Sequence, residues 1–468
     1  MRAAIIGGGI AGLAAAYQLQ LAADAGAGVE YTLFEAGSRL GGSLSSERVH
    51  GALLEHGADS FLTEKPAAAQ LCRELGLEAD LIGSNDAARK TFILVKNSLV
   101  PLPDGLMFLV PTKLLPTLTT RLFSLSTKVR MGLDLLRPPR VRDEDESVAA
   151  LIERHFGKET VDRLADPLLS GIYGGDAAKL SARTVLPRMV EMERRYGSLT
   201  RGMLAQRRGV PGNSPRPATE VPARSIFTSL RGGMQQLVDA LTATLDADSI
   251  RLATPVMGLR REDTGWTVDA GEQPDHFDAV ILAAPAWAAA ALLSPVDALL
   301  GEQLRGIPYS SSIAVNLLYD EEKLGPLPDG FGFLVPASER RAMLACTFAH
   351  RKFVGRAPAG KALLRAFLGG IRNEPALNEP DDRILATVRR ELREILGINA
   401  TPEHIHIARW RRAMAQYTVG HQERIARVRE RLAGLPGLRL VGNAYDGIGI
   451  PDCIRLGRIA ATDLMQGV

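Results

Sequence analysis

Three glycines near the start of the chain, Gly7, Gly9 and Gly12, stand at G-x-G-x-x-G spacing. That spacing suits the binding of a pyrophosphate. The first glycine lets the chain turn, the second lets backbone approach the phosphates, and the third lets a helix pack closely on a strand. The spacing alone is weak evidence, so the flanking elements decide its meaning. Met1 to Ile6 is a short apolar run that reads as a strand, and Ala14 to Ala23 reads as a helix. A helix N-terminus there would offer unpaired N–H groups and a positive dipole end to an anion. Val29 to Phe34 is a second β-rich run, closed by Glu35, where an acid would accept hydrogen bonds from an adenosine ribose. Strand, glycines, helix, strand and acid follow in the order a dinucleotide site requires. The plainer reading is a surface glutamate behind an ordinary turn. Adjacent Gly41 and Gly42 allow another close backbone approach, and Arg39 could meet a phosphate or stay solvated.

The bulk numbers exclude several classes. The 468 residues suffice for two or three domains. The chain is 46% hydrophobic and 23% charged with a formal net charge of +3, so nothing global argues for a nucleic-acid partner. Cys72, Cys346 and Cys453 are odd in number and far apart, which implies no disulfide framework and fits a reducing compartment. G-x-S-x-G and H-E-x-x-H are absent, and no metal site is expected. His404 and His406 alternate on a strand, which usually means one face of a sheet, and His56 reads as packed or solvated. The first strand begins at once, so no targeting segment is expected. The longest apolar stretch, Ala279 to Leu293, is broken by Pro285 and too short to span a bilayer, so no transmembrane helix is expected.

Around these residues the pattern predicts positioning elements. Helices are expected within 64–82, from Pro66 through Leu75 with Gly76 as a stop, and over 147–156 with Ser147 as cap, 158–170, 184–196, 234–245, 381–396 and about 450–464. Paired strands at 91–95 and 98–102 flank Lys96-Asn97, and further strands fall at 250–252, 255–260, 266–268, 277–283, 313–319, 331–335, 343–348, 362–367, 404–410 and 439–441. Leu54 to Phe61 reads as a strand edge passing into a glycine turn, and 206–224 as a loop. Between 106 and 142, apolar runs lie beside Arg121, Lys128, Arg130, Arg137, Arg140 and Arg142, with Asp134 the one acid before Asp143. Such a stretch suits an anionic membrane surface, or else a helical substrate domain whose apolar side is core. The fold class is α/β and α+β: a discontinuous Rossmann-like nucleotide domain (1–84, 226–295 and 436–468), an inserted substrate and helical domain (85–225), and a mixed-sheet substrate domain (296–435).

The motifs carry a family likeness. Ile5 to Leu13 and Phe34 to Gly42 resemble the FAD fingerprint of the flavin monoamine oxidase superfamily. Asp166 to Asp176, with Leu180-Ser181 after it, resembles the substrate loop of flavin-dependent porphyrinogen oxidases. Trp410 to His421 resembles their late tryptophan segment, and Val441 to Ile454 their closing FAD segment. The resemblance covers essentially the full length.

It implies non-covalent FAD held by Gly7, Gly9, Ile10, Ala11, Gly12, Glu35, Ala36, Arg39 and Gly42. The same set takes in Gly57, Ala58, Asp59, Ser60, Val256, Trp410, Gly442, Ile448, Gly449 and Ile450. Glu35 would hold the ribose, and Val256 would contribute backbone. Gly175 would turn its carbonyl to the pyrrole N–H groups of the substrate, and Leu334 would pack on the macrocycle; these two form the expected catalytic set. Some family members carry an Arg before the strand that opens after residue 90, paired with a propionate; here Arg89, Lys90 and Thr91 stand in its place. The implied reaction is oxygen-dependent oxidation of protoporphyrinogen IX to protoporphyrin IX in haem biosynthesis, releasing hydrogen peroxide. Coproporphyrinogen III is the alternative substrate. An amine or carotenoid-type oxidoreductase and a non-catalytic flavin-binding protein are further alternatives. Hydride would leave a meso carbon for the flavin while the substrate sheds its own N–H protons, which calls for no strong side-chain base. A cytoplasmic location is expected, peripheral on the inner face of the membrane if the basic stretch binds lipid, with other haem-pathway enzymes as partners.

Overall fold

The strand Arg2–Ile6 lies at the centre of a five-stranded parallel sheet. Glu30–Phe34 and Ala279–Leu282 flank it, and Ile250–Arg251 and Leu438–Leu440 form the edges. Its side chains serve two cores in alternation. Ala3 and Ile5 pack beneath the helix Ile10–Asp24, whereas Ala4 and Ile6 pack with Phe34, Trp266 and the helix Ala286–Leu293. A parallel strand covered on both faces must be apolar at every position, which is how Ala-Ala-Ile-Ile reads. This computed structural model describes all residues except Phe108, Thr112, 141–143, 210–224, Glu272 and Val468.

A second sheet of seven strands runs in the order His404–Ala415, Tyr309–Asp320, Lys361–Gly369, Met343–Phe348, Gly332–Leu334, Thr91–Val95, Ser98–Pro101. Only Gly332–Leu334 and Thr91–Val95 pair in parallel. The helix Asp381–Leu396 lays Ile384, Val388 and Leu392 against this sheet's core.

Residues between the two sheets in sequence form a helical region. Leu122, Phe123, Met131, Leu151, Phe156, Leu164 and Met189 fill its core. The outward side is apolar as well: Leu115, Leu125 and Leu136 are 72%, 76% and 78% exposed, and Leu118, Val129 and Leu133 are exposed beside them. The 106–142 stretch therefore supplies both a core and an uncovered face. Its cations differ in state. Lys128 donates to the carbonyls of Leu118 and Thr120, and Arg130 to that of Glu153. Arg121 and Arg140 are exposed, and Arg142 lies outside the described residues. No helix among the described residues is long and apolar enough to cross a membrane.

Several boundaries depart from the sequence pattern. The first helix begins at Ile10, four residues early, because Gly12 is tolerated inside it for packing reasons given below. The helix expected from Pro66 through Leu75 runs Pro66–Glu74, but the remainder of 64–82 is not helix: Glu78–Asp80 is a 3₁₀ turn and Leu81–Gly83 a strand that pairs with Phe227–Leu230. The expected helix 158–170 opens with one α turn, widens to a π turn at Val161–Ala165 and continues to Tyr173. The expected loop at 206–224 begins inside the helix Leu199–Gly209, and 210–224 lies outside the described residues. The expected strand 277–283 is two strands, Asp275–Phe277 and Ala279–Leu282.

The helical core encloses charge. His155 and Asp134 are fully buried and hydrogen-bonded to each other, and His155 Nε2 lies 3.2 Å from Glu193 Oε1. Ser198 Oγ and the Thr200 N–H also donate to Asp134, at 2.8 and 3.0 Å. Burial alone would lower the His155 pKa, but the two carboxylates outweigh it and raise it. Burial likewise opposes ionisation of Asp134 and Glu193, yet their hydrogen bonds hold both below the ordinary carboxylate range. A raised histidine pKa gives stability that is complete below its unfolded value of about 6.5. That stability is lost as pH rises through the folded value. The carboxylates' share fades only in acid, through their lowered values. The protection factors of Val148–Phe156, taken relative to the intrinsic exchange rate at each pH, should therefore fall as pH is raised above neutral, before those of the sheets. His155→Ala, which leaves Asp134 buried without its cation, should cost about 3–5 kcal/mol in denaturant unfolding. A variant as stable as the parent would refute a charged His155.

Candidate functional site

The glycine turn is shaped by what it cannot accommodate. Gly7 has φ +110°, and a Cβ there would lie 2.7 Å from the Ala283 carbonyl oxygen. A Cβ on Gly12 would collide with the Gly7 carbonyl. The helix is thus pressed onto the strand end. Gly9, by contrast, has nothing within 4 Å of its Cβ position. It is the N-cap of Ile10–Asp24, with no side-chain cap and no acid in the first turn. Open space therefore meets the uncapped positive end of a helix, with Ile10 and Ala11 in its first turn. Gly42 backs this turn, since its Cβ position is 3.2 Å from Gly9 Cα, and the Gly41 N–H donates to the Gly8 carbonyl at 2.8 Å.

Glu35 follows the second strand. Its carboxylate accepts the Gly8 N–H and the Gly37 N–H, one on each oxygen and both at 2.7 Å. Each oxygen keeps a further lone pair. The Thr254 N–H donates to the Glu35 carbonyl at 2.9 Å, which brings the segment leading to Val256 alongside Glu35 and Ala36. The exposed Arg39 turns its guanidinium to the carbonyls of Leu40, Gly42 and Leu44.

The closing segment returns to the same sheet. Gly442 has φ +125° and nothing within 4 Å of its Cβ position, a second open approach to backbone. Ile448 packs on the core beside Tyr445, and Gly449 caps the helix Ile450–Met465. Asp452 receives the Gly449 N–H at 3.3 Å and the Lys65 ammonium at 2.6 Å. Tyr417 donates to the Asn443 carbonyl and accepts from the Gly447 N–H, fixing the loop between them.

Gly57, Ala58, Asp59 and Ser60 form a wall with residues from the second sheet. The Trp410 indole N–H donates to the His56 carbonyl at 2.7 Å, and a Cβ on Gly57 would lie 3.4 Å from the indole ring. Arg365 donates to the Gly57 carbonyl. Lys352 pairs with both oxygens of Asp59, at 2.9 and 3.0 Å. Burial would raise the Asp59 pKa, but Lys352 and Arg365 overcome it and hold the carboxyl below its ordinary range. His56 is pushed down to about 4, mainly by burial and then by neighbouring His406.

At the far end, the helix Asp166–Tyr173 stops at Gly174, which takes φ +58°. Arg372 bridges Asp166 and Asp176 across this stop. Gln416 donates to the Tyr173 carbonyl at 2.6 Å and to Ser310 Oγ at 3.0 Å, and its amide oxygen fills the place a side chain on Gly175 would need. Leu334 reaches this helix, with its Cδ2 3.3 Å from the Cβ position of Gly171. Thr91 pairs with Gly332, two residues from Leu334. Arg89 and Lys90 enter that strand exposed, without an ion pair among the described residues. Gly175, Leu334 and Thr91 thus share one region. The residues that fix this region, Gln416, Arg372 and Ser310, and those that fix the Gly57 to Ser60 wall, Lys352 and Arg365, were not singled out by spacing; only Gln416 falls within a recognised segment.

A profile for flavin containing amine oxidoreductases matches residues 10–465. The chain belongs to that family. As a flavin-dependent oxidoreductase it is similar to coproporphyrinogen III oxidase of Bacillus subtilis strain 168, at 36% identity over 98% of this chain and 97% of the relative. It is 28% identical to protoporphyrinogen oxidase 2 of Arabidopsis thaliana, over 98% and 93%. A crystal structure from Exiguobacterium sp. 255-15, provisionally described as a protoporphyrinogen oxidase, superposes with a TM-score of 0.87 at 33% identity, covering 99% of this chain and 98% of that one. The open backbone at Gly9 and Gly442, the uncapped helix and the remaining acceptors on Glu35 fit the flavin of this family. Charge-assisted hydrogen bonds are worth about 1.5–3 kcal/mol. Glu35→Gln in the flavoenzyme should therefore weaken flavin retention about tenfold to hundredfold. Dialysis followed by absorbance at the flavin band measures this, and unchanged retention would make Glu35 a purely structural acid.

Proposed function

We propose that the flavoenzyme is an oxygen-dependent porphyrinogen oxidase that holds FAD non-covalently. The single observation that carries this reading is the Gly174-Gly175-Asp176 turn. It is braced by Arg372 and Gln416, and the apolar Leu334 lies against the helix that leads into it, at Gly171. A large flat substrate calls for an apolar slot with few polar anchors. The Gly175 carbonyl would accept pyrrole N–H groups, Leu334 would pack on the ring, and exposed Arg89 and Lys90 would receive propionates. FAD would supply the hydride-accepting ring, with Glu35 and Gly9 on its ribose and pyrophosphate and the Gly442 to Ile450 segment along the flavin. Non-covalent binding is supported by Cys453, which is buried in the core against the first helix. Acid precipitation that leaves the yellow colour in the supernatant is the matching observation. Over the whole reaction the substrate gives up six electrons and six protons, and three molecules of oxygen become hydrogen peroxide.

Coproporphyrinogen III is the substrate favoured by the bacterial relative's name, and protoporphyrinogen IX is the second reading, favoured by the plant relative's. A paired assay of both porphyrinogens, read by porphyrin fluorescence, decides between them. Arg89→Ala with Lys90→Ala should raise KM more than it lowers kcat, because propionates stay bound through ground and transition states alike. Both cations are exposed, so the expected loss is about 0.2–1 kcal/mol each, a combined rise in KM of about twofold to thirtyfold. The rise should be at least as large with coproporphyrinogen, whose four carboxylates leave more charge to satisfy. An unchanged KM with both substrates would remove the pair from the site.

The uncovered face at Leu115, Leu118, Leu125, Val129, Leu133 and Leu136 supports peripheral contact with an anionic membrane. Exposed apolar side chains would enter the interface while Arg121 and Arg140 meet lipid headgroups. Flotation on anionic vesicles should be lost in the double variant Leu125→Ser, Leu136→Ser and should weaken with salt. Failure of the parent protein to float at low salt would remove membrane contact as the reading of this face.

A further inference from the structure

Four of the chain's eight histidines collect at one seam. His50 and His56 come from the hairpin Ser46–Val49/Ala52–Glu55 and the residue after it. His404 and His406 come from the edge strand of the seven-stranded sheet. The His56 and His406 rings stack, with centroids 3.7 Å apart and planes at 14°, and His50 meets His404 edge to face at 5.9 Å. Beside the stacked pair stands Glu47, whose carboxylate is 3.6 Å from His56 Nε2.

Two buried imidazole nitrogens here, His56 Nε2 and His406 Nδ1, have no hydrogen-bond partner among the described residues. Leaving such groups unsatisfied is costly, and two side by side call for an explanation. The other nitrogen of His56 supplies part of one. Nδ1 lies 3.1 Å from Ser45 Oγ, and a bond donated to that hydroxyl leaves Nε2 with a free lone pair. Metal-binding histidines are oriented in this way, through the ring nitrogen that does not bind the metal. One ligand atom from each of Glu47, His56 and His406 lies within 4.8 Å of the others. Tetrahedral bonds of 2.0–2.1 Å place ligand atoms about 3.4 Å apart. The stacked rings are nearly parallel, so one imidazole must turn about its Cβ–Cγ bond for the two in-plane lone pairs to converge, and Glu47, with 53% of its side chain exposed, is free to close the remaining distance.

We propose that Glu47, His56 and His406 bind a divalent transition ion of the zinc class. The ion would clip the hairpin to the edge of the seven-stranded sheet. Two imidazoles and one carboxylate select zinc-like ions over magnesium or calcium, which prefer oxygen ligands. A fourth position would fall to water, on the side where Glu47 meets solvent. The clip has a definite mechanical place. His56 carries the carbonyl that receives the Trp410 indole N–H, and Gly57 follows it into the wall described above. Metal bound here would therefore tie the wall of the flavin site to the strand that carries Trp410.

The test uses full-length holoprotein bearing no polyhistidine tag. Equilibrium dialysis against Co²⁺ or Zn²⁺, with Mg²⁺ as control, should give one equivalent of the transition ion per chain, and bound Co²⁺ should show visible d–d bands. His406→Ala and Glu47→Gln should each weaken binding at least about tenfold while flavin content stays at the parent level. If His406→Ala loses flavin, Glu47→Gln carries the test alone, since an exposed carboxylate is not needed for folding. No bound transition ion in the parent, or equal affinity in parent and Glu47→Gln, overturns the proposal. Equal uptake of Mg²⁺ overturns it too.

Discussion

Backbone meets backbone with no room for side chains between, and the candidate flavin site depends on that. Gly12 presses the first helix onto the Gly7 carbonyl, Gly7 sits against Ala283, and a side chain on Gly457 would strike the Ala11 carbonyl. Three segments far apart in sequence are thereby drawn to one point. The helix end they fix carries no side-chain cap, so its N–H groups stay available. Loosening any of these contacts would move the helix end, with Gly9 as its cap, away from Glu35.

How much of this was legible follows from the range of each interaction. The glycine spacing encodes a local close approach, so strand, turn, helix and acid could be read from forty residues. The start of the first helix was misread because glycine inside a helix normally costs stability; here a packing demand overrides that propensity. The helix Asp381–Leu396 was read to the residue, since a strong period of 3.6 with Gly397 after it needs no tertiary information. The hairpin 46–55 was not read. Its first strand is mostly exposed and its second wholly buried, so neither shows alternation. The wall of the site was illegible for a different reason. Lys352 and Asp59 are 293 residues apart, and Arg365 and Gly57 are 308 apart. Only the sheet topology brings them together. The histidines at the seam show the same limit: spacing along a strand revealed two of them, and the pairing of hairpin and edge strand supplied the rest.

The helical region solves a separate problem. It must build a core around Leu122, Phe123 and Met131 while leaving other leucines of the same stretch outside. Short helices with an apolar outer face would shift easily on a purely apolar core. The buried Asp134–His155–Glu193 cluster opposes such slippage, because any shift would strand a charge without its partner.

Electrostatics around the candidate flavin and substrate regions points in one direction. Among the described residues there, Asp59 and Asp176 are held ionised by Lys352 and Arg372 against the effect of burial. His56 and His421 are each pushed down to about 4, chiefly by burial. Tyr173 and Tyr309 are pushed up to about 12 by burial, and Tyr417 higher still. None of these groups is poised to exchange a proton near neutral pH, where a general base would have to work. An oxidation that needed side-chain acid–base chemistry would be poorly served. One in which the substrate releases its own N–H protons, while the chain contributes shape, an aligned carbonyl and fixed charges, asks for nothing that the arrangement lacks.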